Sequence, residues 1–115
     1  MTVLARVIVV VDDVAGTIGS WGDSGEREVT YWIGRSYWGR GIATDALKAF
    51  LAVDRSRPLH ARVASDNVAS RRVLEKCGFR VIATERNVAE ARSAEIEELV
   101  LRLDELTSMR PRAVF

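Results

Sequence analysis

The hydrophobic pattern of this chain changes character at Gly34, and that change constrains the fold more than any other feature of the sequence. Before it lie three segments rich in β-branched and aromatic residues, joined by connections too short to hold a helix. Residues 4–11 are dominated by Val and Ile and stop at Asp12-Asp13, the pattern of a buried strand followed by a turn. Residues 14–21 read as a second strand, in which Gly16 and Gly19 point to a bulge or to close approach of another backbone. Gly22-Asp23-Ser24-Gly25 is a turn, and residues 28–33 carry the composition of a third strand. Three strands with short connections make an antiparallel meander.

After Gly34 a helical period takes over. Ala43, Leu47, Phe50 and Leu51 fall at i, i+4, i+7 and i+8, the stripe of an amphipathic helix that must end before Arg57-Pro58. Residues 59–64 read as a short strand. Asp66 or Asn67 can cap a second helix in which Ala69, Val73 and Leu74 share a face and Gly78 supplies the stop. Residues 79–84 form another strand. The last element is ambiguous: Ile96, Leu99, Val100, Leu103 and Leu106 fit a helical period, yet Leu99, Leu101 and Leu103 also alternate. Period alone favours a helix there.

A chain of 115 residues is long enough for one two-layer domain, expected over residues 1–106, with a short tail at 107–115 containing Arg110-Pro111-Arg112. The formal charge of +1, with Arg outnumbering Lys 15 to 2, gives no general electrostatic case for nucleic acid or an anionic membrane. Cys77 is the only cysteine and His60 the only histidine, which excludes an intrachain disulfide and the usual zinc sets. The apolar run at residues 7–11 is far too short to cross a bilayer, and Met1 to Arg6 lack the order of a signal peptide; a cytoplasmic protein is expected.

The most informative segment is Tyr37-Trp38-Gly39-Arg40-Gly41-Ile42-Ala43-Thr44, placed between a strand and a helix. A helix start offers unpaired N–H groups and a positive dipole end, a natural seat for phosphate. Arg40 can add a charge-assisted contact. Taken alone, the spacing fits a tight strand-to-helix turn with no ligand equally well.

The wider sequence resembles the GNAT N-acetyltransferases. Their pyrophosphate loop, Arg/Gln-x-x-Gly-x-Gly/Ala, is matched by Trp38-Gly39-Arg40-Gly41-Ile42-Ala43, with Trp38 in place of the usual Arg or Gln. A second signature, Asn-x-x-Ser followed by Glu-Lys-x-Gly-Phe, runs from Asn67 to Phe79 and is similar to the branch that acetylates ribosomal-protein N-termini. The resemblance spans roughly residues 4–104 and implies an α/β fold: a mixed, mostly antiparallel sheet with two helices, shortened at the N-terminus. It makes residues 96–103 a strand, against the helical period.

The same resemblance implies roles residue by residue. Tyr31, Trp32 and Ile33 would lie on the strand that pairs with the pantetheine arm of acetyl-coenzyme A. Trp38, Gly39, Arg40, Gly41, Ile42, Ala43 and Thr44 would form the loop and helix start that cradle its pyrophosphate through main-chain N–H groups. Asn67 would bond the pantetheine, and Ser70 would lie near the sulfur as catalytic acid. Without the resemblance, Asn67 is a plain helix cap and Ser70 an ordinary first-turn residue. Where many relatives carry a tyrosine on the second helix, this chain has Leu74, and where some place a glutamate it has Arg62. The general base is then to be sought among Glu28, His60, Glu95, Glu97 and Glu98. Relatives begin with a strand and two helices that wall the acceptor site, and this sequence starts at what resembles their second strand. A homodimer is therefore expected, with an exposed apolar sheet edge favouring self-association. Two function classes stand: an N-acetyltransferase acting on a primary amine of a peptide N-terminus or small molecule, and a coenzyme A-binding module without acceptor chemistry. A nucleotide-binding protein is weaker, lacking Gly-Lys-Ser/Thr.

Overall fold

The chain forms β1 (Thr2–Val10), β2 (Asp13–Gly22), β3 (Glu28–Ile33), a single 3-10 turn (Arg35–Tyr37), α1 (Ile42–Val53), β4 (Leu59–Ala64), α2 (Val68–Lys76), β5 (Arg80–Ala89) and β6 (Ala94–Leu103). This computed structural model describes residues 2–89 and 94–104; the tail at 107–115 and the side chain of Glu95 lie outside the described residues. The strands make one six-stranded sheet in the order β1-β2-β3-β4-β6-β5. Every neighbouring pair is antiparallel except β3 and β4. The mixed sheet with two helices is the expected fold class.

The meander forms with two adjustments. Val11 belongs to the turn rather than to β1: Val11 and Asp12 both have positive φ, 46° and 71°. A two-residue hairpin loop needs that geometry at both positions to match the twist of its strands, even where a β-branched residue must adopt it. In β2 the register slips between Ile8↔Gly16 and Val9↔Val14, so Ala15 is an extra, bulged residue. Gly16 is the close approach anticipated from the sequence: a Cβ there would stand 1.9 Å from the carbonyl oxygen of Trp32.

Both helices cover the same face. β4 and β5 are each antiparallel to β6, hence parallel to one another. The crossovers β3–α1–β4 and β4–α2–β5 step across the sheet in one direction, and right-handed connections then put both helices on one side. Leu47 and Phe50 of α1 and Leu74 of α2 accordingly share a core with Ile8, Ile18, Val29, Ile33, Leu59 and Ala61. Ala69, assigned to that stripe from the sequence, is exposed instead. Half-buried Val73 and Cys77 complete the inner face of α2. This helix ends in a Schellman motif: Gly78 has φ 98°, and the Phe79 and Gly78 N–H groups donate to the carbonyls of Leu74 and Glu75, both at 3.0 Å.

The last strand resolves the conflict of periods. Leu99, Leu101 and Leu103 stand opposite Val63, Ala61 and Leu59 in the β4–β6 register and all three are buried. Alternation thus decides, because pairing to β4 supplies a partner for every second side chain. The helical stripe arises only because Val100 is also buried, on the opposite face.

That opposite face is largely bare. Val3, Val7, Val9, Val14, Trp21 and Trp32 lie on it together by register and are all exposed. Among the described residues, no helix is long and apolar enough to cross a membrane.

One buried polar cluster ties the layers together. The Arg27 side chain, just ahead of β3, donates from Nε to Asp54 Oδ2 at 2.7 Å and from Nη1 to the Gly22 carbonyl at 2.8 Å. Ser20 donates to the same Asp54 oxygen at 2.5 Å, and the Ser56 N–H donates to Oδ1 at 3.0 Å. Burial alone would raise the Asp54 carboxyl, but the hydrogen bonds from Arg27, Ser20 and Ser56 outweigh it and hold the group well below the usual carboxylate range. Asp54 also caps α1, its N–H bonding the Phe50 carbonyl at 2.8 Å. Removing one partner of a buried pair strands the other, so Asp54→Ala should lower the unfolding free energy by ~3 kcal/mol in urea titrations near neutral pH. A depressed folded value stabilises above the unfolded carboxyl's value of about 3.9. The gap between variant and wild type should therefore close as pH falls through the acid range below it.

Candidate functional site

β3 and β4 are joined by a single bridge, Glu28↔His60, fixed by the His60 N–H donating to the Arg27 carbonyl at 2.8 Å. Backbone groups of alternate residues point to opposite edges of a strand. Because Arg27 faces β4 and the Gly34 N–H faces β2, donating to Ala15 at 2.8 Å, the peptide groups of Val29, Tyr31 and Ile33 point toward β4. By the same rule those of His60, Arg62 and Ala64 point toward β3. The ladder nonetheless stops at its first bridge, and the strands splay apart. Tyr31 on one wall and Arg62 on the other therefore present main-chain donors and acceptors to a gap rather than to a ladder.

The gap is a cleft of about 210 Å³, walled by β3 and β4 and floored by Asn67, Ser70 and Leu74 of the α2 segment. Two helices begin at its open end, because α1 follows the carboxyl end of β3 and α2 follows that of β4. In α/β sheets this is where ligands bind. The start of α1 carries no side-chain cap: Gly41 is the N-cap, with φ 76°. The first intrahelical donor is Asp45, to the Gly41 carbonyl at 3.1 Å, so the N–H groups of Ile42, Ala43 and Thr44 have no intrahelical acceptor. The loop before it is pinned to β3 by the Trp38 indole, which donates to the Ile33 carbonyl at 2.8 Å. Arg40 lies over the Tyr37 ring and Arg35 over the Trp38 ring, each at 5.5 Å.

At α2 the cap is a side chain. Asn67 Oδ1 accepts the Ser70 N–H at 3.1 Å, and the Asn67 N–H bonds the Ala64 carbonyl at 2.9 Å. The Tyr31 phenol reaches across the cleft to the Ser70 hydroxyl at 3.2 Å. Burial raises the Tyr31 phenol above its ordinary value, the bond to Ser70 partly opposes this, and Cys77 adds to it. Burial likewise pushes the Cys77 thiol up, with Lys48 partly opposing. Cys77 is therefore no activated nucleophile.

The structure thus gathers Tyr31, Asn67 and Ser70 in one cleft and sets Gly39 to Thr44 at the helix start beside it. It does not bring Trp32 there. The Trp32 side chain is 63% exposed on the bare face, and its peptide groups point to β2. Ile33 faces the gap, but its carbonyl is already engaged by Trp38. Of the candidate bases, Glu28 and Glu98 surround Arg62 on that bare face, 3.9 and 3.8 Å away, with Glu85 closer at 2.7 Å. Glu97 is exposed. His60 lines a second cleft of about 220 Å³ with Glu26, Glu28 and Arg62, and its Nδ1 is buried without a hydrogen-bond partner among the described residues. Sequence reasoning missed Arg27, whose carbonyl anchors the one β3–β4 bridge, and its side-chain partner Asp54. No local signal marks them, since they are partners only across α1 and β3.

Splayed parallel strands flanked by two helix starts define the acyl-coenzyme A N-acyltransferase class of fold. The chain matches the acetyltransferase (GNAT) domain model over residues 3–80 and belongs to the GNAT acetyltransferase family. It is similar in structure to the Microcin C7 self-immunity acetyltransferase MccE in complex with acetyl-CoA and AMP, at a TM-score of 0.79 and 18% identity over 89% of this chain and 61% of that one. The ribosomal-protein-alanine N-acetyltransferase of Brucella melitensis gives 0.78 and 17%, over 87% and 67%. The yncA protein of Salmonella typhimurium, solved with its cofactor acetyl-CoA, gives 0.70 and 20%, over 79% and 58%. The chain therefore spans less than two thirds of two of these three relatives. No curated protein sequence matches it.

Capping at Asn67 gives a direct check on the cleft floor. Asn67→Ala should cost about 1 kcal/mol in chemical denaturation, and Asn67→Asp, which keeps the accepting oxygen, should restore most of it.

Proposed function

We propose that this chain is an acetyl-coenzyme A-dependent N-acetyltransferase that acts on a primary amine, carried by a peptide N-terminus or a small molecule. The observation that carries the reading is the cleft between β3 and β4, which opens between two helix starts. Its residues suit the donor. The uncapped N–H groups of Ile42, Ala43 and Thr44 offer a seat for pyrophosphate, and the positive φ of Gly41 turns the chain so that they face outward. Gly39 and Arg40 complete that loop, and Trp38 holds it in place through Ile33. The Tyr31 peptide group, aimed into the gap, can pair with the amide-bearing arm as a neighbouring strand would. The Asn67 side-chain amide, whose oxygen serves the cap, keeps its NH₂ for the same arm.

Acetyl-coenzyme A, when bound, supplies an activated acetyl thioester. The protein's part is to fix its orientation, present a proton donor near the sulfur, and receive an uncharged amine. Proximity and preorganised N–H dipoles account for much of the acceleration such a site can give. Ser70 is placed to hold the proton at its hydroxyl. We further propose a cytoplasmic homodimer. The exposed valines of β1 and β2 and the unpaired edge of β1 support self-association, which light scattering at micromolar concentration should register as twice the 12.8 kDa chain mass.

The alternative, a coenzyme A-binding module without transfer, is favoured by buried Leu74, which occupies the cleft floor with no titratable group. Thiol release from acetyl-coenzyme A over a panel of amines and peptides, beside calorimetry with coenzyme A, separates the two. Transfer to at least one acceptor is expected. Binding without transfer selects the module, and absence of binding removes both readings.

A further inference from the structure

One side-chain hydrogen bond crosses the cleft between its strand wall and its helix floor, from Tyr31 to Ser70, and the residues are 39 positions apart in sequence. Neither hydroxyl has another hydrogen-bond partner among the described residues. The Ser70 backbone is fixed separately, through its N–H to Asn67, so the phenol acts on the side chain alone. A hydroxyl has one proton to donate and lone pairs to accept. Whichever of the two donates, the pair presents one O–H to the cleft and backs it with a second. Hydrogen bonds in such a chain polarise one another.

We propose that the Tyr31 phenol is the second member of a proton relay that ends at the Ser70 hydroxyl and serves the departing thiol. This rests on the acetyltransferase reading above. As the carbon–sulfur bond breaks, its electron pair leaves on sulfur. Ser70 gives its proton to the sulfur, and Tyr31 gives its own to Ser70 Oγ. The phenolate is reprotonated through water by the proton that the acceptor nitrogen loses as the carbon–nitrogen bond forms. The sum is amine plus thioester to amide plus thiol, with both hydroxyls restored. Tyr31 is here a positioning residue that acts through Ser70. Burial, which raises the phenol, keeps its proton in place through the neutral range; the bond to Ser70 opposes this and Cys77, at the end of α2, reinforces it.

The test uses Tyr31→Phe, Ser70→Ala and the double variant in the full chain. Ultraviolet titration of the ligand-free protein follows its two phenols, Tyr31 and Tyr37. The step that Tyr31→Phe removes is that of Tyr31, and it should move further up in Ser70→Ala, which removes the bond that lowers it. In steady state, Tyr31→Phe should lower kcat about tenfold, with KM for acetyl-coenzyme A within about twofold. The double variant should be no slower than Ser70→Ala, as expected of residues that act in series. A kcat unchanged in Tyr31→Phe, or a Tyr31 titration unmoved by Ser70→Ala, overturns the relay while leaving the functional reading intact. A wild-type chain that transfers acetyl to no acceptor overturns that reading, and the relay falls with its premise.

Discussion

Arg27 is the residue on which the rest of the architecture depends. Its main chain receives the N–H of His60 and so begins the only parallel pairing among the described residues, while its side chain holds Asp54 at the end of α1. Three elements thus meet at one guanidinium. Isolated buried charges are costly, and a buried pair holds only where its remaining donors and acceptors are met. Here Gly22, Ser20 and Ser56 meet them. β3 and β4 are clamped at this end by the bridge Glu28↔His60, and the cleft lies beyond it, where the two strands are not paired.

How far the sequence discloses this depends on the range of the interaction. The meander, both helices and the glycine loop are local patterns, written in periods of two and 3.6 and in turn residues, and they form much as those patterns indicate. β6 is different. Its stripe satisfies both periods, and only its pairing with β4, more than thirty residues upstream, chooses between them; resemblance to a family supplied that choice, where composition could not. Val11 runs the other way, a residue whose preference is for strands held in a turn by the length of its loop.

The site divides along the same line. Asn67 and Ser70 lie within one helical turn, and their relation is visible as a capping pattern. Tyr31 meets them only because β3 lies against α2, and Arg27 meets Asp54 only because α1 returns across the meander. Trp32 shows the limit most plainly. A stretch of three strand residues looks like a unit in sequence, but pleating sends its middle member to the opposite face and turns its peptide groups toward the other neighbour. The charge cluster around Arg62 is likewise assembled from β3, β4, β5 and β6, each contributing one residue.

The bare start of α1 has a consequence for how such a chain can evolve. The anion seat proposed there would be built from peptide groups, which every residue type except proline provides, so side chains around it can change while the N–H groups persist. The backbone is constrained at Gly39 and Gly41, since left-handed residues are needed there. Neighbours that share fewer than one residue in five with this chain can keep the same fold. Drift in this region should therefore be fast in side-chain identity and slow in backbone shape. Divergence among relatives would then collect in what the cleft admits, while the backbone frame around the helix start stays common property.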